Sequence, residues 1–598
     1  MLGILALSAG AGWAQKAPSA APASPKEPTG QFDREAFTIT RWDLNVAIDT
    51  QLQTLGSRGK IYLRNDSGLP QNAVPLQISS SLRWSSIRMG GAPIEFTSAK
   101  SRSDIDHTGA VNEAVLQLPQ PVQPGSSIEL EIGYAGYITQ DASRLERVGT
   151  PAGVARRSDW DRITESFTGV RGIGNVAWYP VSISPALLGD GNRLFESLER
   201  WKARHADSSF HVVYNTQREV TLIANAGQVV LVGGSTPGSV VESNLFRLGT
   251  QTPFFIAGKY RAVETARGKV FYFSSSEGVA RSYADVLKTL ETPFGRGKTA
   301  NMAESSGRFA AAGARPSTQN ESGMGVGKEL QVALIELPEG SANFESGPAL
   351  LLPLREMEQK RMQQLLIHTA IHGSFYSSRA WIYEGFAHYA QARLIEEQDG
   401  RGAALDFLEQ RRGALALADS DVPTDSAARR SLVNTGNEIF YRSKAMFVWW
   451  MLHDMIGDAA IHKAITQYRM EEDKEPSYIE RLLEAASGRN LNWFFNDWVY
   501  RDRGLPDFQI TSVYPRENLK GGYMVTVSVE NLGGAAAEVP IRLRTKEGEV
   551  TTRLEVRGKE KASARIEVRD RPLEVTVNDG SVPESDTNNN SFSIPLPR

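Results

Sequence analysis

The sequence predicts a multidomain α+β protein: an N-terminal antiparallel β domain, a mostly helical central domain and a C-terminal β-sandwich. Three observations predict it. Near the front, "RWDLNVAID" sets Trp42, Leu44, Val46 and Ile48 on one face, the period-two alternation of a half-buried antiparallel strand. Between about residues 354 and 500, apolar residues recur at helical spacing instead. Beyond that, "YMVTVSVENLG", "VPIRLRT", "TTRLEVRG", "ARIEVRD" and "LEVTVND" are short alternating runs parted by turns, a sandwich of roughly immunoglobulin size. At 598 residues the chain is too long for one core.

In chain order, "MLGILALSAGAGWAQ" holds a short apolar run that ends in small residues. It predicts an export leader over residues 1–14, truncated at its front because the usual positive segment is missing. The run is too short to span a bilayer. Residues 15–32 are rich in Pro and Ala and read as an extended linker. The β domain is placed over 33–262, where "IELEIGY" repeats the alternation with Ile128, Leu130, Ile132 and Tyr134. The helical domain is placed over 263–503. It opens on the strand "KVFYFSS" and on a helix carrying Ala280, Tyr283, Val286 and Leu287. Residues 298–328, rich in Gly, Ala, Ser and Asn, read as a flexible surface insertion. Inside it, "GMGVGKE" lacks the spacing and the Ser or Thr of a phosphate loop. The sandwich is placed over 504–598, and its "SVPESDTNNNS" reads as a turn, without the EF-hand pattern.

Composition narrows the chemistry. A net charge of −3 gives no electrostatic case for nucleic acid. No stretch is long and apolar enough for a transmembrane helix in the mature chain. With no cysteine, thiolate metal sites and cysteine nucleophiles are excluded, so any metal must sit on His and carboxylates. The densest such cluster is "HTAIHGSFYSSRAWIYEGFAHY". His368 and His372 are four apart, about 40° around a helix, and so project side by side. Glu384 and His388 repeat that spacing on the next predicted helix. Zinc in hydrolases takes three protein ligands and leaves a place for water. The other five histidines show no ligand spacing.

The order of several segments resembles the aminopeptidase N family of gluzincin zinc metallopeptidases, over about residues 38 to 510. "YEGFAHY" resembles the family's NEGFA segment, "IFYRSKAMFVWWMLHDMIG" its Y-x-K-G-A helix, and "FFNDWVYRDRGLPDFQI" the end of its catalytic region. "RWDLNVAIDTQLQTLGSRGKIYLRNDSG" resembles the opening of its N-terminal β-saddle. The resemblance implies a β-saddle, a thermolysin-like mostly helical domain and an immunoglobulin-like β-sandwich. It implies zinc on His368, His372 and Glu384, and an intermediate-stabilising role for Tyr441.

Three departures bear on function. Thr369 stands where the family's HExxH carries its general base, and a hydroxyl has no accessible pKa for that work. Only eleven residues separate His372 from Glu384, against eighteen in the family, so His388 is an alternative ligand. "GSANF" aligns with the family's amine-binding GxMEN, which puts Asn343 in place of the acid, with Glu345 two residues on along the same strand face. Losing both base and amine-binding acid points to an exported, periplasmic or secreted peptidase-fold protein that binds peptides or proteins and hydrolyses them poorly. A weakly active zinc aminopeptidase and a metal-free interaction protein are the alternatives.

Overall fold

The computed structural model describes residues 32–190, 193–216, 220–226, 229–232, 240–242, 245–290, 332–420, 431–433, 435–519 and 521–595. The predicted leader, nearly all of the linker and the 298–328 insertion with its "GMGVGKE" lie outside these.

The alternating residues Trp42, Leu44, Val46 and Ile48 are buried on β1 (Phe37–Asp49). β1 pairs antiparallel with β2 (Thr54–Asn65). Two further strands, β3 (Leu82–Met89) and β4 (Ser127–Tyr137), extend the sheet, β4 pairing with both β2 and β3. One neighbour departs from the expected antiparallel pattern. β5 (Ser209–Thr216) runs parallel to β1, with Trp42 opposite Phe210. Alternation reports which face is buried but carries no strand direction, and a parallel neighbour needs a long crossover. The chain makes that crossover through helix α1 (Arg193–His205). His205 fastens α1 to β1: its Nε2 accepts the Ile39 N–H at 3.2 Å and its Nδ1 donates to the Trp201 carbonyl at 2.8 Å. Burial pulls its pKa down to about 3, so the ring stays neutral. A three-stranded sheet of Gln71–Ser79, Ala110–Val122 and Phe96–Arg102 shares the same apolar core.

A five-stranded mixed sheet opens the central part, in the order Arg261–Thr265, β6 (Gly268–Tyr272), β7 (Val332–Glu336), β9 (Ala349–Leu352) and, at the edge, β8 (Phe344–Ser346). Helix α2 (Glu277–Thr289) lays Ala280, Tyr283, Val286 and Leu287 into its core. Helices α3 (Gln359–Ser374) and α4 (Ala380–Asp399) follow, and five residues turn the chain between them. α5 (Arg401–Ser420) leads to a π-helical turn at Ile439–Lys444, which runs directly into α6 (Ala445–Gln467). Trp381 of α4 stacks on Trp449 of α6 at 5.9 Å between ring centroids, both fully buried. These tryptophans are therefore core.

The last strands form two sheets. One holds β10 (Phe508–Glu517), β11 (Tyr523–Asn531) and β14 (Lys561–Val568); the other holds β12 (Ala537–Thr545), β13 (Glu549–Val556), β15 (Pro572–Val577) and β16 (Ser591–Ser593). Their inward residues join those of the central helices in one apolar cluster. Trp498 seals the seam by donating its indole N–H to the Ala536 carbonyl at 2.7 Å. The change of element type near residue 504 is thus not a break in the core.

Glu584, inside the "SVPESDTNNNS" turn, is fully buried. Its carboxyl accepts N–H groups from Asn578, Asn590 and the Phe508 backbone, tying the turn to the start of β10. Burial outweighs these donors and pushes the carboxyl up to about 7, from an ordinary 4.5. A raised acid favours the folded state fully below its unfolded pKa, and that advantage is lost as pH climbs through the folded value. The melting temperature of the native protein, relative to Glu584→Gln, is expected to fall between pH 5 and pH 8. The underlying difference is on the order of 3 kcal/mol. Parallel pH profiles for the two proteins would show that Glu584 titrates normally.

Candidate metal centre

Helical spacing on α3 brings His368 and His372 together as the sequence predicts. Their Nε2 atoms are 3.0 Å apart, and the rings are 6% and 1% exposed. The shortened connection still delivers Glu384. Its Oε2 lies 3.8 Å from His368 Nε2 and its Oε1 3.7 Å from His372 Nε2. Next to Glu384, Gly385 lets α4 pack closely on Ala445 at the start of α6.

The other predicted residues fall into two groups. Glu345, on edge strand β8, is in the centre: its Oε1 accepts the Thr369 hydroxyl at 2.9 Å and its Oε2 lies 3.5 Å from His368 Nε2. His388 is there too, its ring 4.3 Å from that of His368. Two overlapping donor groups result, Glu345 with His368 and His372, and His368 with Glu384 and His388. Asn343 stands apart, exposed just before β8. Tyr441 is buried on the π-helical turn beside Glu438, and burial together with that charge holds its hydroxyl well above its ordinary pKa.

Arg442 is the participant that the motifs do not single out. Its Nε comes within 3.4 Å of Glu384 Oε2. It follows Tyr441 in a stretch read for its tyrosine and lysine, and it sits on the π-helical turn. Glu384 is held well below the usual carboxylate range, against burial, by Arg442 and then His372. Glu345 goes the other way. Loss of water, with Glu384 as a like charge, pushes it up to about 7, opposed by His372, Thr369 and Arg442. Burial, with the neighbouring rings, pulls His368 well below its ordinary value, so it is neutral and its nitrogen lone pair is free to ligate.

The donor set fits a zinc-sized ion. Two donors bound to one zinc at 2.0–2.1 Å in a tetrahedron lie about 3.4 Å apart. The separations here, 3.0 to 3.8 Å, fall on either side of that value. The buried Nδ1 atoms of His368, His372 and His388 have no hydrogen-bond partner among the described residues. Among the described residues these rings pack on one another and on Tyr383, with no outer acceptor at Nδ1.

No family model matches the chain, and no curated protein matches it. Among solved structures, it is similar to an M1 zinc metallopeptidase from Deinococcus radiodurans, at 15% identity and a TM-score of 0.45, over 79% of this chain and 96% of that one. A mutant M1 zinc metallopeptidase from the same organism, bound to a Tyr-Ser-Ala substrate, aligns at 14% identity and a TM-score of 0.43, with the same coverage. At this depth no functional residue carries over, and the chemistry of the site rests on its own side chains.

A Cβ placed on Gly385 would fall 2.4 Å from the Ala445 Cβ and 3.1 Å from its carbonyl carbon. Gly385→Ala is expected to destabilise the protein by about 1–3 kcal/mol through overpacking. Chemical denaturation measures this; an unchanged midpoint would mean that α4 has room to move.

Proposed function

We propose that this chain is a zinc-binding protein of peptidase-like fold that engages peptides or proteins and is impaired in hydrolysing them. The observation that carries the reading is the convergence of His368, His372 and Glu384 from two helices onto one spot. Where three protein ligands hold it and the fourth position is open, zinc supplies Lewis acidity and a water acidified to a pKa of about 7.

The chain's own residues argue for binding over turnover. Thr369 donates its hydroxyl proton to Glu345 and offers no basic group of its own. Without a positioned base, hydrolysis is expected to be about 10²- to 10⁴-fold slower. Asn343 brings no charge to meet a substrate ammonium. Tyr441, by the family resemblance, would face a substrate carbonyl. β8 is the edge strand of its sheet among the described residues, the position at which an extended peptide adds by strand addition. Export to a periplasmic or extracellular setting belongs to the same proposal and rests on the N-terminal run. Among the described residues no helix is long and apolar enough to cross a membrane.

Elemental analysis of protein purified without chelator is expected to find one zinc per chain, and His368→Ala and His372→Ala are expected to lose it. A native stoichiometry near zero would overturn the metal assignment. On a panel of aminoacyl-nitroanilides, the zinc-loaded protein is expected to turn over negligibly. Rates typical of an aminopeptidase would overturn the impairment.

A further inference from the structure

We propose that Glu345 is a fourth protein ligand of the metal and that Thr369 is the positioning residue that aims it, so that the centre is closed. The inference rests on the zinc reading above and goes beyond its three ligands.

The geometry is that of a carboxylate held for this purpose. One oxygen of Glu345 is taken by the Thr369 hydroxyl at 2.9 Å, which leaves the other facing His368 Nε2 at 3.5 Å. Glu345, His368 and His372 each offer a ligand atom, and these atoms all lie within 4.8 Å of one another. Glu384 approaches the same two nitrogens at 3.8 and 3.7 Å. Two carboxylates and two imidazoles would balance a divalent cation, and four protein ligands would leave no position for water.

The backbone that carries Glu345 is fixed on both sides. Glu345 stands opposite Leu350 in the β8–β9 pair. The next residue, Ser346, accepts the Thr252 N–H at 3.1 Å and donates back to the Thr252 carbonyl at 2.9 Å. The preceding Phe344 packs edge-on against Phe254, 5.9 Å between centroids. A carboxylate on so short and anchored a strand has little freedom except at its own rotamer, and the Thr369 hydroxyl selects that rotamer. Ligand-orienting partners of this kind typically change metal affinity by about 10- to 100-fold. The threonine is thus a replacement with its own task, at the point where a base is absent.

The competing fourth donor is His388, which groups with His368 and Glu384. Chelator competition on the full-length protein separates the two. Glu345→Gln is expected to weaken zinc binding by at least about 10-fold and His388→Ala by far less. Thr369→Val is expected to weaken it by about 10-fold, and Thr369→Ser to restore it, because the serine keeps the hydroxyl donor. Cobalt substitution gives an independent readout. The native cobalt protein is expected to show a four-coordinate absorption spectrum that acetohydroxamate does not alter, while Glu345→Gln becomes sensitive to that probe. Melting of each metal-free variant checks that it is folded. Native affinity in Glu345→Gln, or a native cobalt spectrum that shifts with acetohydroxamate, would overturn the fourth ligand and leave the three-ligand site standing. Absence of zinc from the native protein would overturn both.

Discussion

Two carboxylates, Glu345 and Glu384, approach one imidazole nitrogen, His368 Nε2, at 3.5 and 3.8 Å, Glu384 buried and Glu345 with 30% of its side chain exposed. Like charges gathered in a low-dielectric cleft are unstable unless something balances them. Arg442 balances one, through its contact with Glu384. The second has the Thr369 hydroxyl beside it, and a proton or a cation completes the balance. The arrangement of β8, α3, α4 and the π-helical turn around this spot follows from that need. Each element brings either a negative donor or the group that steadies one.

The scaffold holds these donors by rigid means. The π-helical turn that presents Arg442 is pinned by Lys444, fully buried and paired with Asp502. Removing one partner of such a pair would leave an uncompensated buried charge, at about 3–5 kcal/mol. The connection between α3 and α4 is pinned as well. Arg379 forks onto Asp473 at 2.8 and 2.9 Å, and Tyr468 bridges Asp473 to Ser377 at 2.6 and 2.9 Å. The shortened connection is thus an ordered turn with its own polar network. It shows how eleven residues suffice to bring Glu384 within reach of the histidine pair.

Glu384 was reached through the resemblance of its segment to a family motif, while the histidine pair was legible in the sequence because helical periodicity is local, residues four apart sharing a face whatever the tertiary context. The buried faces of β1 and β4 were legible for the same reason, with period two. What local periodicity cannot carry is the relation between elements. Glu345 and Thr369 are 24 positions apart on a strand and a helix, and their hydrogen bond exists only once β8 packs beside α3. The parallel course of β5 depends on a crossover, and alternation is the same in either direction. Arg442 meets Glu384 from a π-helical turn at Ile439–Lys444, a contact between elements that no local period announces. Read in isolation, Thr369 is a missing base and Glu345 a displaced amine-binding acid. Their contact in the fold turns two apparent losses into one interaction.

That interaction bears on how the absent glutamate should be understood. A glutamate at position 369 would bring a third carboxylate to within hydrogen-bonding distance of Glu345, where Thr369 now donates at 2.9 Å. Two carboxylates that close repel unless a proton lies between them, whereas the threonine hydroxyl supplies that proton itself. The threonine and Glu345 are therefore mutually dependent: a neutral donor is needed at 369 because an acid arrives from β8. An open, base-assisted centre and a closed, four-donor centre are alternative solutions to the same charge balance on this pair of helices. The second is the one we propose for the side chains present here.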